Sequence, residues 1–270
     1  GGSRSVANMG DFLGGNGYTV IDRSAVAAEN ISHETIWGVA DEDMFRHTIK
    51  EMDTRTAAGQ KVFAHVMTTS NHRPFTYPAN RIDIPSGSGR DGAVKYTDWA
   101  IGQFIKEAST KPWFKNTVFV LIADHTSNGR GRTDLPPENY HIPFIIYAPG
   151  IVVPGQVDTI ASQIDVAPTV LAMLNVSYQS QFFGQDILTD GKRHQRAFMS
   201  NYLTVGYMED GMVAELSLKR RTRTVDAVSG NVLSAEDARA KDIMNQAVSH
   251  FQLAAGVLRR KETSPLAAAN

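Results

Sequence analysis

The 270-residue chain predicts an α/β fold: a mainly parallel central sheet flanked by helices, with a C-terminal hairpin and a long last helix. Three observations carry that expectation. The apolar runs "VFVLIA" (118–123) and "PFIIY" (143–147) have the near-continuous hydrophobicity of strands covered on both faces. Other segments carry apolar residues at helical spacing, as in Trp99, Ile101, Phe104 and Ile105. Strands alternating with helices are the pattern of a parallel sheet with crossover connections. No internal repeat or linker interrupts the pattern, so residues 1–270 read as one domain.

Residues 1–35 are Gly-rich, with a turn signal at Gly14-Gly15-Asn16-Gly17. Asp41 or Asp43 is placed to cap a helix through Met44, Phe45, Ile49 and Met52. Val62–Met67 reads as a short buried strand that leads into the polar loop Thr68–Arg73. A Pro/Gly/Ser loop over 78–92 is too polar to pack, and a helix follows over Tyr96–Ala108. After the 117–123 strand come a Gly/Arg loop (127–138), the strand ending at Pro149-Gly150, and a helix over 161–174 with Pro168 near its first turn. "AFMSNYL" (197–203) and the turn "EDG" (209–211) predict a strand and hairpin. Ser234 and Asp237 open a long helix over roughly 235–261, and the tail "TSPLAAAN" reads as frayed.

Composition narrows the function. Hydrophobic residues make up 42% of the chain, and its net charge near −1 argues against nucleic acid as the main partner, because phosphate backbones call for clustered Lys and Arg. The one dense basic cluster, Lys219-Arg220-Arg221 with Arg223, reads as a solvated face rather than a binding patch. The absence of cysteine excludes disulfides and thiolate metal ligands. No apolar run approaches the ~20 residues of a membrane span, and the chain does not open on a signal peptide.

The chemistry concentrates in two loops. Ligands of open α/β sheets bind beyond the carboxyl ends of the strands, where Asp124 and His125 fall. A carboxylate oxygen beside an imidazole nitrogen suits a divalent ion of the Zn or Mn type. The competing reading is an Asp that caps the next loop beside an exposed His. "TTSNHRPF" (68–75) also follows a predicted strand, and its His72 offers a donor to a phosphate or sulfate oxygen; the alternative is a plain turn. His65 reads as a core histidine, His141 as structural, and His33, His47, His194 and His250 as surface residues. Asp165 reads as a helix cap in preference to a metal ligand. No nucleophile elbow, phosphate-binding loop or dinucleotide fingerprint is present.

Taken together, "NMGDFLGGNGYTVIDR", "WGVADEDMF", "HVMTTSNHRPF", "KYTDWAIGQFI", "NTVFVLIADH", "IPFIIYAPG", "SQIDVAPTVLAMLN", "FFGQDIL" and "MSNYLTVGYMEDG" resemble, in order, the alkaline phosphatase/sulfatase superfamily. Within it the chain is most similar to the lipoteichoic-acid-synthase-like phosphoglycerol transferases. That resemblance implies a metal-dependent transferase of the extracytoplasmic face of the cell membrane, acting on phosphoglycerol-bearing lipids or glycans. It implies a divalent ion, manganese first with Mg, Zn and Ca as alternatives, held by an acidic residue, a Thr or Ser nucleophile, and the pair matched by Asp124 and His125. The His of the family's "S-N-H-x-P-F" loop maps onto His72 and contacts the phosphoryl group.

Two departures accompany the resemblance. Where the family often shows "F-D-N-M", the chain has Val6-Ala7-Asn8-Met9, which leaves Asn8 as the substrate-binding candidate there. The family's first acidic ligand and its nucleophile precede a "Y-G-G" segment whose end matches Gly1-Gly2. The chain is therefore expected to be a partial catalytic domain that lacks the nucleophile-bearing part, from a parent anchored in the membrane by a preceding segment. A replacement nucleophile among Thr68, Thr69 and Ser70 would have to share one loop with His72. A sulfatase or phosphodiesterase, or a catalytically inactive ligand-binding fragment, are the alternative functions.

Overall fold

A computed structural model describes residues 8–127 and 134–262, and its backbone gathers into two units, residues 1–118 with 148–151 and residues 119–147 with 152–270. The Val6-Ala7 departure, the Gly/Arg loop over 128–133 and the tail over 263–270 lie outside the described residues.

In the first unit, α1 (Met9–Gly15) ends in a turn at Gly17, whose positive φ of 84° is open to glycine without strain. Two short antiparallel strands, β1 (Glu34–Thr35) and β2 (Gly38–Val39), lead into α2 (Asp41–Ala57), and α3 (Arg90–Ala108) packs against α2. Val39, Met44, Phe45 and Ala100 are the buried centre of that packing, with Phe45 stacked on Phe104 at 4.8 Å. A second cluster joins Ala40, Tyr77, Ala93 and Tyr96, the two tyrosine rings stacked at 4.9 Å.

Helix α3 starts at Arg90, earlier than the expected Tyr96. Gly92 read as loop, yet it lets the first turn close onto Tyr77: a Cβ at Gly92 would stand 2.3 Å from the Tyr77 hydroxyl oxygen. The expected cap of α2 also fails. Ala40 is the N-cap and offers no side-chain bond, while the Asp41 and Asp43 carboxylates turn to other segments.

The strand expected over Val62–Met67 does not form: the segment joins no ladder, and Phe63 is 74% exposed. His65 is exposed with it and is no core histidine. An apolar run marks where burial is possible, but a strand also needs a partner ladder.

In the second unit, β3 (Phe119–Ile122) pairs with β4 (Phe144–Tyr147), with Phe119 opposite Tyr147 and Ile122 opposite Phe144. A 3₁₀ turn (Gln163–Asp165) runs into α4 (Val166–Met173), where Pro168 sits in the first turn as expected. Then β5 (Arg196–Ser200), β6 (Thr204–Glu209), β7 (Met212–Ser217) and β8 (Arg221–Asp226) form one sheet in sequence order. The long helix α5 (Ala238–Glu262) covers it, burying Ile243 and Ala247 against Tyr207, Met212 and Ala214. Asp237 caps α5 by accepting from the Arg239 and Ala240 N–H groups.

The α/β class, the closing hairpin and the long helix match the expectation; the mainly parallel sheet does not. Every ladder among the described residues is antiparallel. Continuous apolarity encodes no direction and here not even full burial, since Ile145 and Tyr147 of β4 are exposed. Direction is set by the connections. Asp210 and Gly211 both take positive φ, 48° and 72°, between paired Glu209 and Met212, the conformation a two-residue hairpin needs.

Candidate active-site elements

Asp124 and His125 follow directly on β3, in the second unit. The Ala123 N–H still reaches the Pro143 carbonyl (3.3 Å), the last backbone bond from this strand toward the β4 side. Beyond it the chain leaves the ladder, and both side chains are 79% exposed. Three local bonds fix them. The His125 N–H donates to Asp124 Oδ1 (2.9 Å), His125 Nδ1 lies 2.8 Å from the Thr126 carbonyl, and the Thr126 hydroxyl donates to the Asn139 carbonyl.

A carbonyl oxygen only accepts, so the Nδ1 contact is an N–H donated to the Thr126 carbonyl, and Nε2 lies 3.4 Å from Asp124 Oδ2. Metal-binding histidines are prepared in this way, one nitrogen tied to a carbonyl and the other left to coordinate. The pair thus presents a carboxylate oxygen and an imidazole nitrogen side by side, a donor set that fits Mn or Zn. Such ions take roughly four to six ligands. Among the described residues, no group of three or more His, Cys, Asp or Glu converges, and the pair supplies two donors.

Gln163 was not singled out from the sequence. Its side-chain amide donates to the Ala123 carbonyl (2.9 Å) and the Asp124 carbonyl (2.8 Å). The turn that carries it is locked by Asp165, which is fully buried. Asp165 Oδ2 accepts from the Ser162 N–H (2.8 Å) and Arg196 Nη1 (2.9 Å); Oδ1 accepts from the Gln185 N–H (2.8 Å) and Arg196 Nη2 (2.9 Å). With its lone pairs engaged, Asp165 is the third residue of a capping box whose cap is Ser162; at the start of α4 itself its side chain makes no capping bond, so the expected cap is met only through the preceding turn. The S-x-x-D spacing was the readable signal; Arg196, distant in sequence, left none.

His72 lies in the first unit, exposed, its ring against that of Trp37 with centroids 3.6 Å apart and the planes tilted by 32°. Its backbone N–H donates to the Thr69 carbonyl (3.1 Å), and Nδ1 stands 3.4 Å from the Arg73 carbonyl. The loop is held from below by Asp41, also fully buried. Asp41 Oδ1 accepts from the Thr69 and Ser70 N–H groups (2.9 and 3.0 Å), and Oδ2 accepts from the Thr97 hydroxyl (2.8 Å). Thr69 is itself tied, its hydroxyl donating to the Val39 carbonyl, and Ser70 is buried. Asn8 is exposed in a left-handed conformation (φ 58°) just before α1 and makes no capping bond.

The remaining histidines divide differently from the expectation. His141 is exposed, but His33, His47, His194 and His250 are all partly buried. His194 Nε2 lies 2.7 Å from Glu209 Oε1 and 3.2 Å from the Tyr207 hydroxyl, and His250 stacks on Tyr207. His47 Nε2 is buried without a hydrogen-bond partner. Periodicity did not mark His250, because the faces of α5 and β6 that bring it against Tyr207 meet only in the folded chain.

Comparison with known proteins bears on these elements. The family model described as Sulfatase matches residues 3–176, well over half of the chain. Phosphoglycerol transferase I of Xanthomonas axonopodis pv. citri is 25% identical over 198 residues, covering 70% of this chain and 28% of the relative. The lipoteichoic acid synthase-like YvgJ of Bacillus subtilis is 26% identical over 200 residues, covering 64% of this chain and 32% of the relative. The chain thus spans about a third or less of the length of these relatives. Among solved structures, a protein of the alkaline phosphatase superfamily from Vibrio parahaemolyticus aligns with a TM-score of 0.81 at 28% identity, over 93% of this chain and 64% of that one.

Proposed function

Because the chain belongs to the sulfatase family, we propose that it is part of the catalytic domain of a divalent-cation-dependent transferase that moves phosphoglycerol groups on cell-envelope lipids or glycans. The observation that carries this reading is the Asp124–His125 pair, with Nδ1 of the imidazole tied to a carbonyl and Nε2 left beside a carboxylate oxygen. The relatives named phosphoglycerol transferase and lipoteichoic acid synthase support the choice of transferred group.

In this reading Asp124 and His125 hold the ion, manganese in the first instance with Mg, Zn or Ca as alternatives. When bound, the ion lowers the cost of forming an alkoxide nucleophile and offsets charge on the phosphoryl oxygens. His72, its ring against Trp37, donates to a phosphoryl oxygen, and Asn8 contacts the substrate. The quoted motifs assign no nucleophile within residues 1–270, and a Ser or Thr hydroxyl is the group that would take up the phosphoryl group. The transferase acts on the extracytoplasmic face of the membrane. No described helix is long and apolar enough to cross a bilayer.

A hydrolase reading is favoured by the Sulfatase match itself: water would replace the alcohol acceptor at the same ion. The test is release or transfer of glycerol phosphate from a phosphoglycerol-bearing lipid, with and without Mn²⁺ and a chelator. Chelation and Asp124→Ala should each abolish it, and full activity in Asp124→Ala would refute the reading. Product carrying the group on an alcohol marks transfer, and free glycerol phosphate marks hydrolysis.

A further inference from the structure

We infer that Gln163 is a positioning residue for the Asp124–His125 pair, the inference resting on the metal reading above. Past Ala123 the chain has left the β3–β4 ladder, and among the described residues no strand bonds the carbonyls of Ala123 and Asp124. A primary amide carries two N–H groups, so Gln163 Nε2 can serve both carbonyls at once, at 2.9 and 2.8 Å. This replaces the missing strand at the residue where the ligands begin.

The clamp is rigid because its own base is buried. Gln163 opens the 3₁₀ turn that Asp165 closes, and the Asp165 carboxylate accepts bonds from Ser162, Gln185 and both outer nitrogens of Arg196. The segment carrying Gly184 lies directly on the turn: a Cβ there would stand 1.9 Å from the Ile164 carbonyl oxygen. The fold therefore links β5, through Arg196 and Asp165, to the exposed loop of the ligand pair. With the Asp124 carbonyl fixed, the bonds from the His125 N–H to Asp124 Oδ1 and from His125 Nδ1 to the Thr126 carbonyl hold the two donor atoms in one orientation. Gln163 touches neither donor atom and acts through the backbone.

The test uses the full chain with Gln163→Met, which keeps the side-chain length and removes both donors. Two readouts are taken: amide hydrogen exchange at His125 without metal, and Mn²⁺ titration followed by paramagnetic broadening of the His125 ring signals. We expect faster exchange at His125, unchanged exchange at Val213 in the sheet, and a Mn²⁺ midpoint raised about tenfold or more, as for other supports behind a ligand. Asp124→Ala should remove the broadening. Wild-type exchange and midpoint in Gln163→Met would overturn the inference while leaving the metal reading in place. If broadening survives Asp124→Ala, the metal reading fails, and exchange alone decides: acceleration in Gln163→Met supports the clamp, and no change overturns it.

Discussion

Arg196 holds Asp165 in a two-pronged ion pair, Nη1 to Oδ2 and Nη2 to Oδ1 both at 2.9 Å, with the side chains 2% and 0% exposed. Breaking such a pair from one side leaves the other charge buried without compensation, which costs roughly 3–5 kcal/mol. Asp165→Ala should therefore lower unfolding stability by about that amount, measured by urea denaturation. The Ser162 and Gln185 N–H groups lose their acceptor in the same variant. A loss below about 1 kcal/mol would mean that the Arg196 charge is not left uncompensated when Asp165 is removed.

Gly184 tests the neighbouring contact. Its Cβ position is 1.9 Å from the Ile164 carbonyl oxygen and 2.6 Å from the carbonyl carbon, both backbone atoms of the turn. Gly184→Ala should cost about 1–3 kcal/mol through forced backbone movement. Gly206→Ala is the comparison: its close contact is Leu135 Cδ1 at 2.5 Å, the end of a flexible side chain. Denaturation midpoints should rank Gly184→Ala below Gly206→Ala.

Asp41 supports the His72 loop. Asp41→Ala strands the buried Ser70 N–H and the partly buried Thr69 N–H. Each stranded group costs about 1–3 kcal/mol, so a destabilisation of at least about 2 kcal/mol is expected. Hydrogen exchange should accelerate at Thr69, Ser70 and His72 and stay unchanged in the β6–β7 pair.

Acid should weaken the second unit through His250. Burial first, then the positive charges of Arg196 and His194, pull its imidazole below its ordinary value, against a smaller opposing pull from Glu209. The folded chain then resists a proton that the unfolded chain accepts, so stability falls as pH drops through about 6.5, the unfolded value. His250→Phe keeps a ring against Tyr207 and Phe198 and removes the titration. The loss of Tm between pH 8 and pH 5 should be smaller in that variant than in the parent chain.

What could be read beforehand was local. The Asp165 capping box, Pro168 in the first turn of α4 and the Asp210-Gly211 hairpin depend on residues close in sequence, and each was legible. Asp124 and His125 were legible as a pair because they are adjacent and end an apolar run. The direction of β4, the non-strand 62–67 and the burial of the histidines depend on partners distant in the chain, which composition and period do not encode. The same limit hid Arg196, Trp37 and Gln163, whose partners Asp165, His72 and Asp124 lie far from them in sequence.

The central claim is that Asp124 and His125 together hold a divalent cation. Its most direct test is Mn²⁺ binding, followed by the loss of the free-ion electron paramagnetic resonance signal, in the protein carrying this chain and in its Asp124→Ala and His125→Ala variants. Binding in the parent and its loss in both variants is the predicted result. Equal binding in the parent and both variants would contradict the account.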